Sequence, residues 1–155
     1  MIRTPYFIAA VILGSGFDQL TKFFAQLYLS FYTPLIIIAQ TCSFQLVHNY
    51  GAAYGVFQHQ RLLLLLVSTM VLIGITVYRK SLAKTIYSQM GLLFLYVGTF
   101  GNGIDRLFRG YVVDFIDIRI FPVFNIADMC INIGVALFII EMIFQHDRIT
   151  SAASE

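Results

Sequence analysis

The sequence predicts an all-α membrane protein: one peptide-chain domain over 1–155, with four transmembrane helices and a small β-rich flap or sheet on the outer membrane surface. Three observations carry this. Of the 155 residues, 59% are hydrophobic and only 12% are charged, against roughly 25% charged in an average soluble domain. Mean hydropathy is +0.80, so the solvent for most of the chain is lipid. Four apolar stretches each approach the ~20 residues that a helix needs to cross the hydrocarbon layer. No Ser/Gly/Pro-rich linker divides them.

The first helix is expected at about 6–29, with Asp18 and Lys22 in its second half. Arg3 ahead of an apolar run could begin a cleaved leader. However, Phe17, Asp18 and Gln19 stand where a small-residue cleavage site should fall, so the segment reads as a mature helix. The connection 30–60 is long and carries no charge until Arg61. In its second half, CSFQLVHNYGAAYGVF, β-favouring residues are interrupted by Gly51 and Gly55, which predicts short strands and a turn. A second helix follows at about 62–78, closed by Arg61 on one side and by Arg79 and Lys80 on the other. The third, at about 85–104, has no charge from Thr85 through Ile104. Between Arg106 and Val123 comes the β-rich stretch YVVDFIDI; as a strand it places Asp114 and Ile116 on one face, Phe115 and Asp117 on the other. The fourth helix runs over about 125–145.

Orientation follows from the charges. Arg79, Lys80 and Lys84 gather at the short connection between the second and third helices, on the side of both termini with Arg3 and Arg148. The positive-inside tendency makes that side, and both termini, cytoplasmic. The opposite side also holds Arg61, Arg106, Arg109 and Arg119, but it has collected Asp18, Asp105, Asp114, Asp117 and Asp128 as well. Glu141, Asp147 and Glu155 fall toward the other face. The outer face is thus more polar than solvation requires. A net charge of +2, from ten scattered Lys and Arg without a basic stripe, argues against nucleic acid as a partner. Cys42, in an expected loop, and Cys130, in an expected helix, have neither metal-ligand spacing nor a disulfide framework and read as packing residues. His48 and His59 lack matching ligands, so no metal and no cofactor is expected.

A carboxylate near lipid is expensive and usually functional, which singles out Asp114 and Asp128 at either end of VVDFIDIRIFPVFNIAD. Asn125 follows Pro122 and precedes an apolar run, the place of an N-cap, so Asp128 falls at the third helical position near free backbone N–H groups. The positive helix end favours an ionised Asp128 there. Two carboxylates within about 3 to 5 Å cannot easily both ionise and share a proton. Such a pair can activate water on one side of a peptide carbonyl and protonate its oxygen on the other. The plainer alternative is that Asp128 only helps to cap the helix and Asp114 is a solvated loop acid.

Five segments in order closely resemble the lipoprotein signal peptidase family, also called signal peptidase II: DQLTK from Asp18 to Lys22, NYGAAYG from Asn49 to Gly55, GNGIDR from Gly101 to Arg106, VVDFID from Val112 to Asp117 and FNIAD from Phe124 to Asp128. The resemblance implies that Asp114 and Asp128 are a catalytic aspartic dyad. It further implies substrate-side contacts for Asn49, Asn102, Arg106 and Asn125, with Asp18, Lys22, Gly51 and Asp105 in support. Three positions depart from the family pattern: Thr99 stands where a second glycine usually follows Gly98, Tyr54 replaces a phenylalanine or tryptophan, and Met129 replaces a frequent serine. Close helix packing and substrate fit are affected by these changes, and the dyad is not.

The supporting residues also have plainer readings. Asp18 and Lys22, spaced i, i+4, could be an ordinary interfacial pair, worth a few tenths of a kcal/mol. Arg106 could snorkel to headgroups, although a guanidinium fork also suits holding carbonyl oxygens in a cleft. Asn102 and Asn125 could be helix-terminus caps. Other intramembrane protease chemistries find no support: the chain has no H-E-x-x-H and no G-x-G-D, and Gly14 to Gly16 lacks the arrangement of a rhomboid serine site. The resemblance therefore implies a monomeric peptidase of the bacterial inner membrane, acting at its outer face on diacylglyceryl-modified prolipoproteins amid phospholipid. In that setting Asn49 to Gly55 would be a lid, hinged at Gly51 and Gly55, with Tyr50 and Tyr54 at headgroup level. The rival from another class is a non-enzymatic membrane carrier or lipid-binding protein using the same acids as ligands.

Overall fold

The structure, a computed structural model, describes residues 2–152, with side chains described for 2–52 and 54–144. The orientation marks Asp147, Arg148 and Glu155 lie outside the described side chains. Four α-helices and three strands follow in the described residues: α1 (Thr4–Tyr28), β1 (Leu35–Ile38), β2 (Cys42–Asn49), α2 (Arg61–Leu82), α3 (Ile86–Phe108), β3 (Val112–Asp117) and α4 (Ile126–Ala152). Pro5 sits in the first turn of α1, where its missing N–H costs nothing. Thr85 and Ser88 open α3 with a reciprocal capping box. At its other end Arg61 donates to the carbonyls of Arg106 and Leu107, satisfying groups that a helix terminus leaves free.

Two expected boundaries move. Arg79 and Lys80 belong to the last turn of α2 and Arg106 to the last turn of α3, because cations are favourable at helix C-termini; Asp105 lies inside α3 as well, with Lys22 and Arg109 as its ion-pair partners. Three helices, α1, α2 and α4 over Ile126–Phe144, are long and apolar enough to cross a membrane. α3 is of similar length, but its glycines and its Gln89, Asn102, Asp105 and Arg106 lower its hydropathy. It is the central helix, packed against the other three. Gly91, Gly98 and Gly134 permit its close approach to α4: a Cβ at Gly98 would collide with the carbonyl of Ala127 and with Ile131. Thr99, beside Gly98, is buried.

The strands form one antiparallel sheet in the order β1-β2-β3. β1 lies in the first half of the long connection, ahead of the stretch where strands were expected, and Cys42 opens β2 instead of lying in a loop. Ala25, Leu46, Val113 and Phe115 form the core between the sheet and α1. On its other side β3 bonds to Phe124, whose N–H and C=O pair with Ile116. This short return carries the chain from Asp114 back to the start of α4.

Candidate active site

The pleat of β3 separates its two aspartates. Asp114 turns toward α4 and Asn49, whereas Asp117 bonds Ser43 and pairs with Arg119 at the far end of the strand. Val47 lies opposite Asp114 in the β2–β3 register, so Asn49, two residues on, is its diagonal neighbour on the same face. Asn49 Nδ2 donates to Asp114 Oδ2 at 3.0 Å. Its Oδ1 accepts the N–H of Gly51 at 2.9 Å, which ties the following loop to the same amide. At Gly51 a Cβ would lie only 2.7 Å from the carbonyl of Val56, so the loop closes on itself there only without a side chain.

Asn125 is the residue before α4, and its Oδ1 accepts the N–H of Asp128 at 3.0 Å. Asp128 Oδ2 in turn accepts the N–H of Asn125 at 3.2 Å, a reciprocal cap closed by a carboxylate. The expected N-cap is therefore present, and it does not exclude the second role. Asn125 Nδ2 reaches out to Asp114 Oδ1 at 2.6 Å, while Asn102 Nδ2 donates to Asp128 Oδ1 at 2.8 Å. The two amides are joined by Asn125 Nδ2 to Asn102 Oδ1 at 3.2 Å. Two carboxylates from different elements are thus linked through two asparagines. Burial, then the nearby charge of Asp128, pushes the Asp114 carboxyl up from 3.8 to about 7, against the opposing pull of Asn49 and Asn125. Asp114 is not a solvated loop acid: only 2% of it is exposed.

Beneath the dyad lies a fully buried charge cluster. Lys22 Nζ contacts Asp18 Oδ2 at 2.8 Å, Asp105 Oδ2 at 2.9 Å and Asn102 Oδ1 at 3.0 Å. The interfacial i, i+4 pair read from sequence is in fact a junction of α1 and α3. Asp18 Oδ1 accepts the N–H of Ala127 at 2.9 Å, and Asp105 Oδ2 accepts that of Val113 at 3.2 Å. Both segments that carry the carboxylates, β3 and the start of α4, are anchored there. Arg109 pairs with Asp105, balancing the second acid. The ammonium also fixes the Asn102 amide: with Oδ1 taken by Lys22 and Asn125, Nδ2 must face Asp128. Arg106 donates to the carbonyl of Gly51 at 3.3 Å.

A cavity of about 670 Å³ opens over the dyad, bordered by Asn49, Tyr54, Asn102, Arg106, Asp114 and Asp128. Its other wall is apolar, formed by 121–124 and by residues of α4 that include Met129, Ile131 and Ile133. Tyr54 stands over it in left-handed backbone, φ 58°, followed by Gly55 at φ 72°. Of the sequence-derived set, Asp114, Asp128, Asn49, Asn102 and Arg106 border the cavity, and Asn125 bonds both carboxylates or their partners. Asp18, Lys22 and Asp105 lie behind it, and Gly51 shapes its loop. His48 stacks on Tyr111, with ring centroids 3.8 Å apart, a packing role. Sequence reasoning missed Gln19, Arg109 and Asn132. Gln19 bonds Asp105 and the carbonyl of Gly101, and Asn132 borders the cavity. The spacing of Asn132, four after Asp128 in an apolar run, could have revealed it.

Residues 8–144 match the profile of signal peptidase (SPase) II. The chain belongs to the signal peptidase II family. It is 36% identical to a lipoprotein signal peptidase of Brevibacillus brevis over 88% of this chain and 93% of that one. With a lipoprotein signal peptidase of Acaryochloris marina the identity is 38%, over 86% of each chain. A bacterial membrane enzyme solved by the in meso method superposes with a TM-score of 0.87 at 29% identity, covering 94% of this chain and 92% of the other. Family membership makes the chain a peptidase and agrees with the apolar helices in making it a multi-pass membrane protein.

Proposed function

We propose that this chain is an intramembrane aspartic endopeptidase that removes the signal peptide from bacterial prolipoproteins, cutting before the diacylglyceryl-modified cysteine. The observation that carries this is the bridging of Asp114 and Asp128 by Asn125 and Asn102 at the floor of one cavity. Asp128 takes a proton from water as its oxygen attacks the scissile carbonyl, and Asp114 gives its proton to the carbonyl oxygen. Collapse breaks the C–N bond: Asp128 passes the proton it took from water to the cysteine nitrogen, Asp114 takes back its proton from the hydroxyl that becomes the new carbonyl oxygen, and the acid and amine products separate. Arg106 and Asn49, on the rim, hold substrate carbonyl oxygens. Lys22, Asp18 and Asp105 act through Asn102 and the backbone of 113 and 127, as positioning residues.

α3 is the fourth spanning helix in this proposal: its 23 residues reach about 34 Å at 1.5 Å per residue, and its polar groups are covered by the other helices. Arg79, Lys80 and Lys84 mark the cytoplasmic side, so the dyad opens at the outer face of the inner membrane. The substrate's apolar segment and lipid enter laterally along the apolar wall. One chain suffices, because every group named comes from it. The test is cleavage of a diacylglyceryl-cysteine prolipoprotein peptide by the purified protein, beside folded Asp114→Asn and Asp128→Asn variants. Cleavage by the parent alone is expected. A parent inactive in a lipid bilayer would favour the carrier alternative, and an active variant would mean the dyad is misassigned.

A further inference from the structure

The amides and carboxylates at the floor of the cavity are tied to one another. Asn49, Asn102, Asn125, Asp114 and Asp128 are joined in a single hydrogen-bonded set. Asn132 also borders the cavity, and its amide has no hydrogen-bond partner among the described residues. It lies on α4 within the stretch Ile126–Phe144, whose mean hydropathy is 2.0. An exposed amide in such a segment is unfavourable unless something entering from outside satisfies it, and polar side chains facing a cavity at membrane depth mark a substrate path. Four residues separate it from Asp128, so both sit on one face of the helix, with Asn132 about 6 Å further along the axis at 1.5 Å per residue. Its neighbours on that wall, Met129, Ile131 and Ile133, are apolar and offer no hydrogen bond.

We infer that Asn132 is a substrate-binding residue whose amide donates to a carbonyl oxygen held one helical turn deeper than the scissile bond. This rests on the peptidase function proposed above. Two parts of such a substrate supply that chemistry. One is an ester carbonyl of the glyceride on the cysteine, and the other is a backbone carbonyl of the signal segment, which has no water partner at that depth. The wall around Asn132 is apolar, so this amide supplies the direction and the apolar residues supply contact area.

The test compares the parent enzyme with Asn132→Leu and Asn132→Gln on two substrates: the diacylglyceryl-cysteine peptide and a dialkyl-ether counterpart without ester carbonyls. Asn132→Leu keeps the size and removes the polarity at an exposed position, so folding should be retained. Losing one neutral hydrogen bond predicts a rise in KM of about three- to tenfold on the diacyl peptide at near-constant kcat, with partial recovery in Asn132→Gln. An effect confined to the diacyl substrate assigns the ester carbonyl; an equal effect on both assigns the backbone carbonyl. Unchanged KM on both substrates, or a loss carried by kcat alone, overturns the inference while leaving the peptidase function intact. Failure of the parent on both substrates overturns the peptidase function itself.

Discussion

Replacing Asp114 by asparagine should abolish cleavage and, above neutral pH, make the protein more stable. The folded chain raises this carboxyl from 3.8 to about 7, about three units, or about 4 kcal/mol at 1.36 kcal/mol per unit. Below the unfolded value both states hold the proton and the group contributes nothing. Between the two values the unfolded chain releases its proton while the folded chain keeps it, so stability falls as pH rises, and the penalty is complete above about 7. About one unit is already lost at pH 5, which leaves about 3 kcal/mol to be lost between pH 5 and pH 9. Asparagine does not titrate, so the variant escapes this loss. It has an offset of its own: Asn49 and Asn125 donate to the two Asp114 oxygens, and an NH2 turned onto either costs about 1–3 kcal/mol at every pH. The quantity to measure is therefore the change in the variant-minus-parent difference, by reversible unfolding in mixed micelles at both pH values. It should grow by about 3 kcal/mol in favour of the variant, or about 6 to 12 °C in Tm for a chain of this size. A difference that stays constant with pH, or moves the other way, would refute a proton-holding Asp114.

The buried cluster makes a second prediction. Lys22→Met leaves Asp18 without its cation and Asp105 with Arg109 alone, and should cost about 3–5 kcal/mol, whereas Asp18→Asn with Lys22→Met removes the unpaired acid and should recover part of that; thermal unfolding of the two variants decides it. A double variant no better than the single would mean that the cluster acts through shape alone. Among the glycines, Gly98→Ala should destabilise by about 1–3 kcal/mol, because its Cβ meets the backbone of α4. Gly16→Ala, facing open space, should be neutral or stabilising by up to about 1 kcal/mol, and parallel melts of the pair would test the seam.

Much of this was legible in the sequence because its signals are local. Apolar runs set the four helices, Asn125 ahead of an apolar stretch marked the start of α4, and β-branched residues marked β3. The strand period also separated Asp114 from Asp117. β1 was not legible, since four apolar residues after a helix carry no alternation. Nor was the burial of Asp18 and Lys22: their spacing fits an exposed pair equally well, and only the packing of α3 supplies Asp105 and Asn102 as partners. The asparagine bridge between the aspartates is likewise tertiary, joining 102 with 125 and 125 with 114 through the return at Phe124. Asn132 hid in an apolar run because a single amide does not alter its hydropathy.

The same few contacts that begin α4 also complete the site. Asp128 is both the closing group of a helix cap and half of the dyad, and the N–H next to it is held by Asp18 of the first helix. Asp114 precedes Asp128 in the chain, and the Asn125 amide that holds it comes with the same later segment. On the mechanism proposed above, the two carboxylates can act together only where the start of α4 is docked on α1, so a contact made far from the cut decides whether the pair exists.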